Sequence, residues 1–170
     1  DFKAILTNIK AADPDIIFAP SSITTAPLII KQARELGITA TIAAGDTWEN
    51  STIIENAGKD AEGVVLSTFF DEAEPANDEA AAVIKGFKEY LVKNKQEDII
   101  PAVSALGYDS YLAAIKAIET ANSTDTTAIR DALKGIQIDG VTGSITFNET
   151  GDANKDIAFI KTIKDGKFQF

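Results

Sequence analysis

The 170-residue sequence contains no cysteine, no histidine and no methionine. That removes cysteine nucleophiles, disulfides, thiolate zinc sites, imidazole bases and the Ser-His-Asp triad together. A chain without cysteine suits the cytosol, and equally an extracytoplasmic protein that needs no disulfides, so the compartment stays open. Positive charge is scarce: 16 Lys and Arg stand against 26 Asp and Glu, a net charge of −10. Phosphate backbones and anionic membranes reward the opposite sign, so no nucleic-acid partner is expected. No apolar run approaches the ~20 residues of a membrane-spanning helix. Neither a GxGxxG nor a GxxxxGKS/T phosphate cradle occurs, and no cofactor is expected. With no signal peptide and no initiating methionine, the chain is expected to begin inside a longer gene product, with Asp1 a cut end.

What is present reads as α/β. Phe2, Ile5, Leu6 and Ile9 recur at helical spacing behind Asp1, a candidate N-cap, and predict a helix over 2–12 that Asp13-Pro14 ends. Ile16-Ile17-Phe18-Ala19 is a continuous apolar run, as for a parallel strand covered on both faces. Leu28, Ile29, Ala33 and Leu36 predict a helix over 25–36, with Gly37 at its left-handed C-cap. Strands over 41–44 and 63–68 flank a short helix over 50–57, and this alternation with short loops implies βαβ units. The stretch 69–77 is acidic and aromatic, with Asp71, Glu72 and Glu74 read as a solvated loop. Helices follow over 78–94, with Ala82, Phe87, Tyr90 and Leu91 near one face, over 101–122, with Gly107 a candidate break, and over 125–134. Strands return over 136–138, 144–147, 157–163 and 167–170, the last two joined by Asp165-Gly166, a hairpin signal.

One carboxylate stands apart. Asp46, in Gly45-Asp46-Thr47-Trp48, follows a predicted strand, and ligands of open α/β sheets bind beyond the carboxyl ends of strands. There Asp46 is placed to meet a cation, with Trp48 as an apolar or cation–π wall. The competing readings make Asp46 the cap of the helix over 50–57 and Trp48 a packing anchor. Ser21, Ser22, Thr24 and Thr25 are candidates for hydrogen bonds to a ligand, and Thr24 or Thr25 equally for a helix cap. Phe69 and Phe70 read as hinge packing or as ligand contacts. Tyr108-Asp109 reads as a core aromatic and a first-turn charge that favours the helix dipole. Asn148, Glu149, Asp152, Asn154 and Asp156 bring oxygens together without EF-hand spacing, so an exposed turn is expected and no metal.

Asp15-Ile16-Ile17-Phe18, the run Lys31 to Ile38, Gly45-Asp46-Thr47-Trp48, Glu62-Gly63-Val64, Ala105-Leu106-Gly107-Tyr108-Asp109 and Gly140-Val141-Thr142-Gly143 together resemble substrate-binding proteins of branched-chain amino-acid ABC transporters. The run Ile145 to Asp152 is similar to that family's Phe-Asp-x-x-Gly-Asp turn. The resemblance implies a type I periplasmic-binding-protein fold, in which two α/β lobes joined by crossovers close on a ligand. Residues 1–70 and 140–170 would form the second, C-terminal lobe, a parallel-sheet βαβ unit with a C-terminal β-hairpin. Residues 76–135 would be a helical segment that packs on the first lobe in the intact protein.

The resemblance also implies a site. Asp46 falls on the acidic position that takes a ligand's α-ammonium. Ser22 or Ile23 falls where these proteins often carry an aromatic, so the wall is expected to be absent or supplied by Trp48 or Phe70. The implied function is non-enzymatic: an extracytoplasmic solute-binding protein, periplasmic or a surface lipoprotein, that passes a small amino acid, branched-chain ones included, to an ABC permease. The alternatives are the sensor domain of a receptor, and an enzyme using Asp46 and Glu49 as acid and base. Leu112, Ile115 and Ile118 on a helix without its sheet lead us to expect self-association, by domain swapping among other routes.

Overall fold

Apolar residues at helical and strand periods alternate along the first part of the chain, and the elements follow them. The computed structural model describes residues 1–96, 98–155 and 158–170. In chain order these form α1 (Lys3–Ala12), β1 (Ile16–Phe18), α2 (Ala26–Glu35), β2 (Thr41–Ala44), α3 (Ser51–Ala57), β3 (Val65–Thr68), α4 (Asp78–Lys93), α5 (Ala102–Ala121), α6 (Thr126–Leu133), β4 (Gln137–Gly140), β5 (Gly143–Phe147), β6 (Ala153–Lys155), β7 (Phe159–Lys164) and β8 (Lys167–Gln169). They divide into a sheet unit, Asp1–Thr68 with Phe159–Phe170, and a helical unit, Phe69–Ala158.

The sheet unit carries five strands in the order β1-β2-β3-β7-β8. The first three are parallel, and β7 and β8 join antiparallel. Ile17, Ile42, Ala44, Leu66 and Ile163 point to one face, where Leu6 of α1, Ile30 and Ala33 of α2 and Ile53 of α3 cover them. Ile16 and Phe18 lie on the other face, 58% and 66% exposed. The expectation of a strand covered on both faces is therefore corrected: β1 is an edge strand with one covered side, because all three helices of this unit contribute to the same core. Gly37 behaves as expected. With φ +75° it lets its own N–H reach the Arg34 carbonyl and the Ile38 N–H reach that of Ala33, a Schellman stop for α2. Asp165 and Gly166 both have positive φ between Lys164 and Lys167, the geometry of a type I′ hairpin. Of the strand expected over 157–163, Ile157 lies outside the described residues, as does Asp156 of the acidic turn.

In the helical unit the three strands β4-β5-β6 form their own sheet. These strands cluster with the helices α4, α5 and α6. The reason is Asp109, buried on α5, whose carboxylate accepts from Val141 N and Thr142 N at 2.8 Å and from Thr142 Oγ1 at 2.5 Å. Tyr108 is 40% exposed, so the sequence reading of this pair is inverted: the charge is inside and the aromatic outside. Gly107 does not break α5, which runs unbroken from Ala102 to Ala121. The buried stripe of α4 is Ala80, Ile84 and Leu91, while Phe87 and Tyr90 stack on each other nearer solvent, ring centroids 6.1 Å apart. The acidic stretch is not simply solvated. Asp71 is buried and accepts from Ala73 N, and Glu72 pairs with Lys88 at 2.8 Å and accepts from Ile100 N.

Candidate functional site

Because β1, β2 and β3 run parallel, their carboxyl ends share one edge of the sheet, and the loops after β1 and β2 emerge there. Asp46 opens a short 3-10 turn, Asp46–Trp48, directly after β2. Its side chain is half-buried, and among the described residues it makes no side-chain hydrogen bond or ion pair. The helix-cap reading of Asp46 fails. Asn50 is the N-cap of α3, its Oδ1 accepting from Thr52 N at 2.9 Å.

Trp48 is fully buried in the core of the sheet unit, and its Nε1 donates to the Ser21 carbonyl at 2.9 Å. A side chain without exposed surface offers a ligand no wall, so Trp48 acts as the anchor of the turn. Ser22 is exposed and spends itself on the start of α2: its carbonyl accepts from Thr25 N and Ala26 N, and its Oγ lies 2.9 Å from Thr24 Oγ1. Ile23 packs against the core margin. Neither Thr24 nor Thr25 caps α2 through its side chain. Ser21 differs from its neighbour. Its Oγ is buried and has no hydrogen-bond partner among the described residues, a cost unless something polar meets it. Sequence reasoning grouped Ser21 with three other hydroxyls, and nothing in the pattern could single it out.

Phe70 belongs to the helical unit. It is 2% exposed and clusters with Ile84, Leu91, Ile100 and Val141, lining a cavity of about 320 Å³ together with Phe87, Tyr90 and Tyr108. Asp46 and this aromatic thus lie in different units.

Glu49 ends the turn that Asp46 begins. Its Oε1 lies 2.5 Å from Lys161 Nζ of β7, and its Oε2 accepts from Thr68 Oγ1 at 2.7 Å. A carboxylate already held by an ammonium and a hydroxyl is a poor partner for acid–base work with Asp46. Among the described residues no three acidic side chains converge as a metal site.

The chain matches a known group of proteins along nearly its whole length. The profile of a family described as periplasmic binding protein matches residues 1–167. The chain belongs to the periplasmic binding protein family. Its α/β fold is of type I, and solved family members superpose on it closely. A leucine-binding protein from Thermotoga maritima is 34% identical with a TM-score of 0.86, and the match covers 100% of this chain and 47% of that one. A branched-chain amino-acid transporter substrate-binding protein from Streptococcus pneumoniae, solved with isoleucine, is 28% identical with a TM-score of 0.78 and the same coverage. The Leu/Ile/Val-binding protein BraC3 of Rhizobium johnstonii is 34% identical over 157 residues, 89% of this chain and 40% of that protein. The chain spans less than half the length of the curated relatives it matches.

Proposed function

We propose that the intact periplasmic binding protein is an extracytoplasmic component of an ABC importer. It binds a small amino acid, branched-chain ones included, in an interlobe cleft and presents it to the membrane permease. In this reading the sheet unit is ligand-binding lobe surface and Asp46 takes the ligand's α-ammonium. The observation that carries it is the half-buried carboxylate at the carboxyl end of β2 with no side-chain partner among the described residues. A desolvated ammonium needs an ionised partner and further acceptors, and the Ser21 hydroxyl on the adjoining loop has no hydrogen-bond partner among the described residues. Relatives named for leucine, isoleucine and valine binding support the ligand class.

The mechanism is binding and closure. The ligand stabilises the closed arrangement by its higher affinity for it, and the permease reads that state. Removing one member of a desolvated charge pair costs ~2–5 kcal/mol. Asp46→Ala in the intact protein is therefore expected to weaken L-leucine binding roughly 30-fold or more. Calorimetry measures this, and unchanged affinity in a folded variant would remove Asp46 from the site. A product-release assay on the bound solute separates carriage from turnover.

A further inference from the structure

The turn that carries Asp46 is held at its C-terminal end by two successive residues, Trp48 and Glu49. On one side Trp48 is sunk in the core with its indole N–H on the Ser21 carbonyl, which ties the turn to the loop after β1. On the other, Glu49 reaches Lys161 on β7 and Thr68 at the end of β3. The register brings these partners together: Ala44 pairs with Leu66 and Leu66 with Lys161, so Lys161 stands on the covered face next to the strand ends. The Glu49 and Lys161 side chains are 9% and 8% exposed.

Stability is a weak reason to hold such a pair. Taking two charges out of water costs about as much as their attraction returns, and well-packed apolar residues often do as well or better. What a buried pair supplies is geometry, since each charge tolerates few positions for the other. Here the geometry it fixes is that of a turn only three residues long, whose first residue is Asp46. We infer that the Glu49–Lys161 pair, with Thr68, is a positioning brace that sets where Asp46 stands at the mouth of the site. For its effect on binding this rests on the reading of Asp46 above, whereas its effect on the turn does not.

The test uses the intact protein labelled with 5-fluorotryptophan, the Trp48 resonance assigned by Trp48→Phe, with L-leucine as the probe. Glu49→Leu combined with Lys161→Met removes both charges at similar volume and leaves neither unpaired. The expected result is a melting temperature near the parent's, a Trp48 resonance that broadens or splits, and leucine affinity lower by roughly tenfold or more, the scale on which supporting groups act on residues they orient. Lys161→Arg keeps the charge and should return both readouts most of the way. A sharp Trp48 resonance at the parent position with unchanged affinity in the double variant overturns the brace. If the double variant does not fold, Glu49→Gln, which keeps size and the Thr68 bond, decides by the same two readouts. Asp46→Asn alone separates the two ideas: unchanged affinity there, with a disturbed Trp48 signal in the double variant, removes Asp46 from the site and leaves the brace standing.

Discussion

The two units of this chain bury different things. In the sheet unit Ile30, Ile42, Ile53, Val64, Leu66 and Trp48 are each no more than 1% exposed, so large apolar side chains fill its core. In the helical unit the buried stripe of α5 is Ala102, Ala105, Asp109, Ala113 and Ala117, and the large residues Val103, Tyr108, Tyr111, Ile115 and Ile118 face solvent. The sheet unit has its own exposed apolar surface, Ile16, Phe18 and Ile160, but it is the uncovered back of a sheet whose front is filled. Amphipathicity alone does not say which face of a helix will be inside. Small residues allow close approach to a neighbour, here α6 and the β4–β5 turn, and a buried carboxylate latches that approach.

The comparison can be broken most directly in the sheet unit. Ile42→Ala removes a fully buried side chain from a filled core, and ~2–5 kcal/mol of stability should go with it. Urea unfolding followed by Trp48 fluorescence would measure this, and a loss below 1 kcal/mol, roughly the lower bound for a polar deletion, would mean the core is loosely packed. In the helical unit the corresponding test is the latch. Asp109→Ala strands two buried N–H donors at ~1–3 kcal/mol each, a total of ~2–6 kcal/mol. Hydrogen exchange should show the loss in β4, β5 and α5 while β2 stays protected. Gly140→Ala should act in the same region, because its Cβ would stand 2.5 Å from the Asp109 carboxylate.

A smaller effect on stability and a larger one on association is expected from Ile115→Ser with Ile118→Ser. Both side chains are 37% exposed, so folding should lose less per site than at fully buried Ile42. The isolated 170-residue chain is expected to self-associate through such surface, and the double variant to be more nearly monomeric by light scattering. A parent chain that is already a clean monomer would refute this.

The smallest effects are electrostatic, and both belong to the helical unit. The hydrogen bond from Lys88 to Glu72, followed by their attraction against a burial penalty and by Asp98, holds the Lys88 ammonium above its usual 10.5. A raised pKa stabilises the fold fully below 10.5 and ceases to as pH rises through the higher folded value. Lys88→Met should therefore flatten the alkaline fall in melting temperature. Asp152 is lowered below 3.8 by the Thr150 hydroxyl and the Asn148 amide. Its contribution is present above 3.8 and is lost as pH falls through the lower folded value, a change that Asp152→Asn should erase from acid titration of the turn.

The placement of Asp46 was legible from local pattern. Gly45-Asp46 after an apolar run marked a strand end, and the strand end is where the carboxylate stands. Trp48 and Ser22 were legible only as pairs of readings, because an aromatic or a hydroxyl beside a strand end serves packing, capping or binding with the same local sequence. Tertiary contacts and local hydrogen bonds separated the readings: the indole is buried in the core, and the exposed Ser22 hydroxyl lies against Thr24 and Thr25 just before α2. Lys161 carried no signal at all, since its partner Glu49 lies 112 residues away.

Local chemistry determined the elements of this protein: the helical periods of α1 and α2, the Schellman glycine, the Asp-Gly hairpin and the order of strands and helices that makes the fold α/β. These depend on residues within a few positions of one another, and a short segment already contains the information. Tertiary structure alone decided that β1 is an edge, that α5 turns its alanines inward, that Asp109 grips the β4–β5 turn and that Glu49 meets Lys161. Each of those is a choice among partners distant in the chain. Desolvation makes that choice, because a buried charge or N–H is tolerable only where the fold delivers its counterpart.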